Sequence, residues 1–171
     1  METILSQITS YEVKELRSIS VQTFTDTYGS FNTEEDMRLY VEQDLSIDQL
    51  TAELNDQLNL FYLLKTEESP LGFLKLRFEG TEYADESLKG MEIQRFYVLK
   101  SHQGKQYGRL LLDFALEKAR REKCTYIWLA VWEHNTAARK FYEKTGFSEI
   151  GETAFKLGED LQRDLVLFRK I

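Results

Sequence analysis

The chain of 171 residues has little of what marks several protein classes. Its one cysteine, Cys124, cannot form an internal disulfide, which is typical of reducing compartments and predicts a cytoplasmic location. One proline and nine scattered glycines provide no linker or low-complexity tract, so we expect a single domain over residues 1–171. No apolar run approaches the roughly 20 residues of a membrane-spanning helix. The N-terminus also lacks the basic-then-apolar pattern of a signal peptide.

Positive charge is also scarce, because 22 basic side chains face 29 acidic ones for a net charge of −7. This balance argues against nucleic acid or an anionic membrane as a partner. The charges are unevenly distributed. Residues 1–99 hold 8 basic and 19 acidic side chains, whereas residues 100–123 hold 7 basic and 3 acidic ones. An acidic first half therefore precedes a short basic segment.

Apolar spacing and capping residues predict an ordered series of elements. Helices are expected at residues 11–24, after Thr33 and after Ser46, followed by a hairpin of residues 60–64 and 71–78. A strand at 91–99, a helix at 108–123, a strand at 126–132 and a helix from 135 to 146 come next, and short strands at 147–150 and 165–168 close the chain. This order predicts an α/β fold of the α+β type, with a mixed sheet rather than a doubly wound one.

The loop of residues 101–109 joins a predicted strand to a predicted helix and contains Gly104 and Gly108. Small residues allow backbone amides to approach a ligand, and a helix N-terminus favours phosphate. Lys105 and Arg109 add positive charge. The alternative is an ordinary solvated loop, since the segment is neither a Walker loop nor a complete dinucleotide-binding fingerprint.

Two motifs in a fixed order give the segment a more specific interpretation. The first is Gln103-x-x-Gln106-x-Gly108, and the second is Asn135-x-x-Ala138-x-x-Phe141-Tyr142 running into Gly146-Phe147. Together they resemble the GNAT superfamily of acetyl-CoA-dependent N-acetyltransferases. Gln106 departs from the pattern, because a glycine is usual at that position.

The resemblance implies a GNAT-like fold, with a mainly antiparallel central sheet between helices, and acetyl-CoA as cosubstrate without a metal. Backbone groups of the strand and loop would hold the pantetheine arm and the pyrophosphate, and later residues would reach the same molecule. The implied cofactor-binding residues are Phe96, Tyr97, Val98, Gln103, Gly104, Lys105, Gln106, Tyr107, Gly108, Arg109, Asn135, Arg139 and Lys140. Arg139 and Lys140 could equally be solvated helix charges.

The resemblance also implies that an amine attacks acetyl-CoA directly in a ternary complex. Tyr142 is the candidate general acid for the leaving thiolate, with a half-buried packing role as the alternative. Glu92 is the candidate base, and strand alternation would place it on one face with Gln94 and Phe96. The alternative for Glu92 is a charge at a strand edge. His102 and His134 lack metal-ligand spacing, so we interpret both as solvent-facing loop residues.

The segments 23–28, 36–40 and 127–133 look like bacterial polyamine N-acetyltransferases of the PaiA type, which act on spermidine and spermine. Carboxylates and aromatic faces suit a polycation, which gives Asp26, Tyr28, Asp36 and Tyr40 as candidate acceptor-binding residues. Helix capping is the alternative for Asp36, and packing is the alternative for the two tyrosines. Two other functions stay open: acetylation of a protein N-terminus, lysine or small amine, and a non-catalytic acyl-CoA-binding module. A homodimer also stays open, because members of the superfamily often form dimers.

Overall fold

A computed structural model describes residues 2–171, which form seven strands and five α-helices. In chain order these are β1 Ile4–Gln7, α1 Val13–Tyr28, α2 Glu34–Gln43, α3 Ile47–Asn55, β2 Asn59–Lys65, β3 Pro70–Arg77, β4 Gly90–Val98, α4 Tyr107–Arg121, β5 Tyr126–Trp132, α5 Thr136–Lys144, β6 Ser148–Leu157 and β7 Asp160–Lys170. Short 3-10 turns precede α1 and follow β4.

The first helices begin where local capping chemistry predicts. The Thr33 hydroxyl accepts a hydrogen bond from the Asp36 amide, and the Ser46 hydroxyl accepts one from the Gln49 amide, so each satisfies a free donor of its helix. Helix α1 continues four residues beyond its predicted end and buries Leu16 and Ile19 against the sheet. These helices form one layer over the first strands.

One seven-stranded sheet runs through the molecule in the order β1-β2-β3-β4-β5-β7-β6. Every neighbouring pair is antiparallel except β4 and β5, which are parallel. The predicted mixed, mainly antiparallel sheet with flanking helices is therefore confirmed. Strand β1 was not predicted, and β6 and β7 are longer than predicted because they form a polar hairpin that extends beyond the apolar residues.

Strands β4 and β5 are paired over only three positions, from Gly90 with Tyr126 to Glu92 with Trp128. Strand β4 then continues to Val98 and β5 to Trp132 without further pairing between them. The two strands therefore separate toward their C-terminal ends, which leaves one backbone edge of β4 free.

A β-bulge in β4 changes the predicted side-chain alternation. Lys75 of β3 is opposite Arg95, but the next residue, Leu76, is opposite Ile93, so Gln94 is an extra residue in β4. The prediction that Glu92 and Phe96 share a face is therefore wrong, because one extra residue reverses the alternation beyond it.

Two apolar cores flank the sheet. One packs α4 and α5 against it and includes Leu111, Leu112 and Tyr142, and the other packs α1, α2 and α3 and includes Leu16 and Leu50. No helix within residues 2–171 combines the length and the apolar character needed to cross a bilayer.

Candidate active site

A cavity of about 710 Å³ occupies the gap between the separated ends of β4 and β5. Its walls come from four parts of the fold: the end of α1 and the segment after it, the end of β4 with the following loop and the start of α4, the end of β5 with the following loop, and α5. The lining residues are Thr23, Asp26, Thr27, Phe31, Phe96, Tyr97, Val98, Lys100, Gln103, Gly104, Gln106, Gly108, Arg109, Trp132, His134, Asn135, Thr136, Ala137, Ala138, Phe141 and Tyr142. The volume is within the usual range for small-molecule sites.

The loop before α4 presents backbone amides to this cavity. Gln106 is the N-cap of α4 and has a φ of 68°, in the left-handed region, and its side chain makes no capping hydrogen bond. The first amides of α4 therefore remain available to an anion. Lys100 and Arg109 line the same part of the cavity, although Arg109 also pairs with Asp113 at 2.9 Å. This donor set fits a pyrophosphate.

The free edge of β4 forms a second wall of the cavity. Phe96, Tyr97 and Val98 all line it, and no strand pairs with them on the β5 side. Gln103 lies against this edge, because its Nε2 donates to the Val98 carbonyl at 3.1 Å. Unpaired backbone groups of this kind can pair with the amides of an extended ligand such as a pantetheine arm.

Helix α5 places Asn135 and Tyr142 on the cavity wall. The Asn135 Oδ1 accepts from the Ala138 amide at 3.2 Å and so caps the helix. The Tyr142 side chain is 5% exposed and packs edge-on against the rings of Phe96 and Phe147. Burial, with a smaller effect of Tyr97, raises the pKa of Tyr142. Its hydroxyl therefore holds a proton that it can donate.

Four predicted cofactor-binding residues lie outside the cavity lining: Lys105, Tyr107, Arg139 and Lys140. Lys105 and Lys140 are exposed, and Tyr107 is half-buried. The Arg139 Nη1 donates to the Glu133 carbonyl at 2.9 Å, so this side chain bridges back to the segment before its own helix. The other nine predicted cofactor-binding residues meet at the cavity.

Of the predicted acceptor-binding residues, only Asp26 lines the cavity. Tyr28 packs against Trp132 with ring centroids 5.6 Å apart, and Tyr40 is buried and stacks on Phe24 at 4.1 Å. Asp36 is tied to the start of α2 by the Thr33 hydroxyl at 2.7 Å, and it also accepts from the Glu159 amide at 2.8 Å. The structure places Tyr28, Asp36 and Tyr40 in the packing and capping positions that were their alternatives.

Glu92 lies where the pairing of β4 with β5 ends, outside the cavity lining. Burial, and then the charge of Glu79, raise the pKa of Glu92 to about 7. Pairing with Arg77 places Glu92 on the face that carries Arg77 and Lys75, whose charges partly offset this shift in pKa. Its pKa suits a base near neutral pH, although Glu92 does not line the cavity.

Several residues in or near the cavity were not predicted from the sequence as site residues. His134 lines the cavity and meets Trp132 edge-on at 5.2 Å, so its interpretation as a purely solvent-facing residue is incomplete. Phe31 lines it too and packs edge-on against Trp132 at 5.1 Å. Asp164 of β7 is buried beside Trp132, and burial with the charge of Glu133 raises its pKa to about 6. The sequence feature that could have indicated Asp164 is an aspartate directly before the apolar residues 165–168.

Within residues 2–171, no three His, Cys, Asp or Glu side chains are grouped closely enough to hold a metal ion. The described donors are instead amides, two basic side chains and hydroxyls. The site is therefore built to bind an anionic, extended molecule and to supply a proton beside it.

Comparisons with known proteins agree with this geometry. Residues 15–147 match the acetyltransferase (GNAT) family. An uncharacterized N-acetyltransferase of Lactobacillus delbrueckii subsp. lactis is 37% identical over 94% of this chain and 93% of that protein. A spermine/spermidine N(1)-acetyltransferase of Bacillus subtilis strain 168 is 32% identical over 43% of this chain and 50% of that protein.

A likeness among solved structures extends over the whole chain. The PaiA N-acetyltransferase of Thermoplasma acidophilum in complex with coenzyme A superimposes with a TM-score of 0.82, covering 100% of both chains at 19% identity. At that identity the likeness establishes the shared fold.

Proposed function

This chain belongs to the GNAT family of acetyltransferases and is an N-acetyltransferase that uses acetyl-CoA, and we propose that its acceptor is a polyamine such as spermidine or spermine. We also propose that residues 1–171 act as one N-acetyltransferase domain. The observation that carries the proposal is the single cavity in which a basic, amide-rich loop, the free edge of β4 and the Tyr142 hydroxyl meet.

The donor end is assigned to the loop and the free strand edge. We assign the pyrophosphate to the amides at the start of α4, with Lys100 and Arg109 supplying charge. The backbone of Phe96, Tyr97 and Val98 would hold the pantetheine arm. Acetyl-CoA supplies a thioester, whose carbonyl must lie close to Tyr142 for transfer to an amine.

Tyr142 is assigned as the general acid. Attack by an amine releases a thiolate, whose conjugate thiol has a pKa of about 8.5 by analogy with cysteine. Burial keeps the Tyr142 hydroxyl protonated until this charge develops beside it. The hydroxyl then gives its proton to the sulfur, which prevents the reverse reaction.

The acceptor end combines one exposed carboxylate with aromatic faces. Asp26, Phe31 and Trp132 line it. Asp26 belongs to residues 1–99, the part of the chain with an excess of negative charge. A carboxylate and aromatic rings attract alkylammonium groups by charge and by cation–π interaction. The Bacillus subtilis relative is a spermine/spermidine N(1)-acetyltransferase, which agrees with such an acceptor.

A protein N-terminus, a lysine or another small amine is the competing acceptor, and a non-catalytic acyl-CoA-binding module is the competing function. Steady-state release of CoA thiol across an amine panel separates them. The panel contains spermidine, spermine, a monoamine, a lysine-containing peptide and a peptide with a free N-terminus. We expect the highest kcat/KM for the polyamines. A preference for a peptide or the monoamine would reject the polyamine, and binding of acetyl-CoA without thiol release would favour the non-catalytic module.

A further inference from the structure

A buried ionic cluster joins α3 to the sheet through Glu53, Lys75 and Arg95. The side chains of Glu53 and Arg95 are each 13% exposed, and that of Lys75 is 3% exposed. The Glu53 Oε2 accepts from the Lys75 Nζ at 2.9 Å and from the Arg95 Nη1 at 2.6 Å. The Glu53 Oε1 accepts from the Arg95 Nη2 at 3.1 Å. One carboxylate therefore ties a helix to two neighbouring strands, β3 and β4.

Stability alone does not explain this ionic cluster. Lys75 and Arg95 are directly opposite each other on β3 and β4, where like charges repel, and they share one carboxylate. Burial, and then the charge of Arg95, lower the pKa of Lys75. Buried ion pairs are often no more stabilising than apolar residues of similar volume, and their best-supported use is to select one register. The cluster is therefore better explained by the register of β4.

Arg95 is the first paired residue beyond the bulge in β4. Gln94 is the extra residue, and pairing resumes with Arg95 opposite Lys75. Without the bulge, Gln94 would be opposite Lys75, and Arg95 would turn to the other face of the sheet, away from Glu53. Of these two registers, only the bulged one brings Arg95 to the Glu53 carboxylate.

The same register decides which way the cavity wall faces. Phe96, Tyr97 and Val98 follow Arg95 directly, and they provide the unpaired edge of β4. In the bulged register Phe96 packs against Tyr142, with ring centroids 5.9 Å apart. A shift of one residue would turn Phe96 to the opposite face and would exchange the amides and carbonyls that face the gap.

We propose that Glu53 and Arg95 are positioning residues for acetyl-CoA, because their ion pair holds the bulged register of β4 and so presents the backbone edge that binds the pantetheine arm. Neither side chain lines the cavity, so both act through the strand rather than by contact with the donor. This role rests on the proposed assignment of the pantetheine arm to residues 96–98, and it is independent of which amine is the acceptor.

Calorimetric titration can compare CoA with 3′-phospho-ADP, the half of CoA that keeps the pyrophosphate and lacks the pantetheine arm. The loop before α4 is assigned to both ligands and the edge of β4 only to CoA, so the ratio of the two Kd values isolates the strand contact. Arg95→Met leaves Glu53 paired with Lys75, and Glu53→Gln keeps the side-chain shape. Glu42→Gln is the matched control, since the exposed Glu42 pairs with Arg38 within α2.

Both test variants should bind CoA more weakly but 3′-phospho-ADP nearly as well as wild type. We expect the Kd for CoA to rise about tenfold or more and the Kd for 3′-phospho-ADP to change by less than about twofold, because only backbone contacts with the pantetheine arm are lost. Glu42→Gln should keep both wild-type values. If Glu53→Gln does not fold, because it leaves two buried cations without a carboxylate, Arg95→Met decides the result.

An unchanged ratio of the two Kd values in Arg95→Met would overturn the role of the ion pair, whether both affinities stay at wild type or both fall together. An Arg95→Met variant that does not fold would overturn it as well, because that result indicates a purely structural role. Equal Kd values for the two ligands in the wild type would instead contradict the pantetheine assignment itself, and the role of the ion pair would fall with it. The wild-type titration therefore distinguishes failure of the proposed donor site from failure of the ion pair alone.

Discussion

Glu92 and Trp128 form the paired position at which β4 and β5 separate. Up to this pair the two parallel strands are hydrogen-bonded. Beyond it, toward their C-terminal ends, the gap between them holds a cavity with Tyr142 on its wall. Parallel strands normally stay paired along their length, so this separation is what gives the sheet a binding site in its middle. The unpaired edge of β4 and the start of α4 then face the same space.

Replacing Tyr142 by phenylalanine should lower kcat by about 10²-fold or more, since a positioned general acid contributes 10²- to 10⁴-fold. Phenylalanine keeps the contacts with Phe96 and Phe147, so CoA affinity and Tm should stay close to wild type. Steady-state kinetics and calorimetric titration with CoA measure the two effects. A wild-type kcat would contradict the assignment of the acid.

Lys100 and Arg109 should contribute to CoA affinity, because both line the cavity beside the start of α4. Lys100→Gln and Arg109→Gln should each raise the Kd for CoA by roughly 3- to 10-fold at low salt, and the difference should shrink as salt increases. Lys140→Gln is the matched control, since Lys140 is exposed and outside the lining. Titrations at two salt concentrations give these values. Equal increases in Kd for Lys140→Gln and Lys100→Gln would contradict the assignment of Lys100 to the phosphate.

Gln106 should be strained, because it has a φ of 68° at the N-cap of α4. Gln106→Gly should stabilise the fold by about 0.5–1 kcal/mol, as the relief of left-handed strain exceeds the entropy that glycine gains in the unfolded chain. Gln106→Ala is the control, since it removes the side chain but keeps the strain. Thermal unfolding measures both variants. A Tm for Gln106→Gly below that of Gln106→Ala would contradict this view of the loop.

Glu92 should make the folded protein less stable as pH rises. The pKa of Glu92 is raised from 4.5 to about 7, so the folded state holds its proton more tightly than the unfolded state does. The stabilisation is complete below about pH 4.5 and is lost as pH rises through about 7. Glu92→Gln should therefore have a higher Tm than wild type at about pH 8 and no advantage at about pH 4.

The same variant also tests a catalytic role for Glu92. Because Glu92 is outside the cavity lining, Glu92→Gln should keep the acid limb of the wild-type pH–rate profile. Loss of that limb in Glu92→Gln would assign the role of base to Glu92.

Local patterns in the sequence predicted the five α-helices and six of the seven strands, and they pointed to the segments that line the cavity. Thr33 and Ser46 cap their helices through neighbours three residues away, and residues 103–108 and 135–147 carry their motifs within short segments. Such features depend on residues that are close in sequence, so the sequence alone is enough to identify them.

The acceptor end could not be predicted in the same way. The bulge at Gln94 depends on the register between β3 and β4, and it moves Phe96 to the opposite face from Glu92. Asp164 lies beside Trp132 only because β7 pairs with β5. These relationships join residues on different strands, and no local pattern encodes them.

The most direct test of the proposed function is a competition for limiting acetyl-CoA. The wild-type protein is given equal concentrations of spermidine, a monoamine and a lysine-containing peptide, and the acetylated products are quantified by mass spectrometry. The polyamine assignment predicts that acetylspermidine is the main product and that Tyr142→Phe forms little of it. Acetylation mainly of the peptide or the monoamine, or no acetylated amine at all, would contradict it.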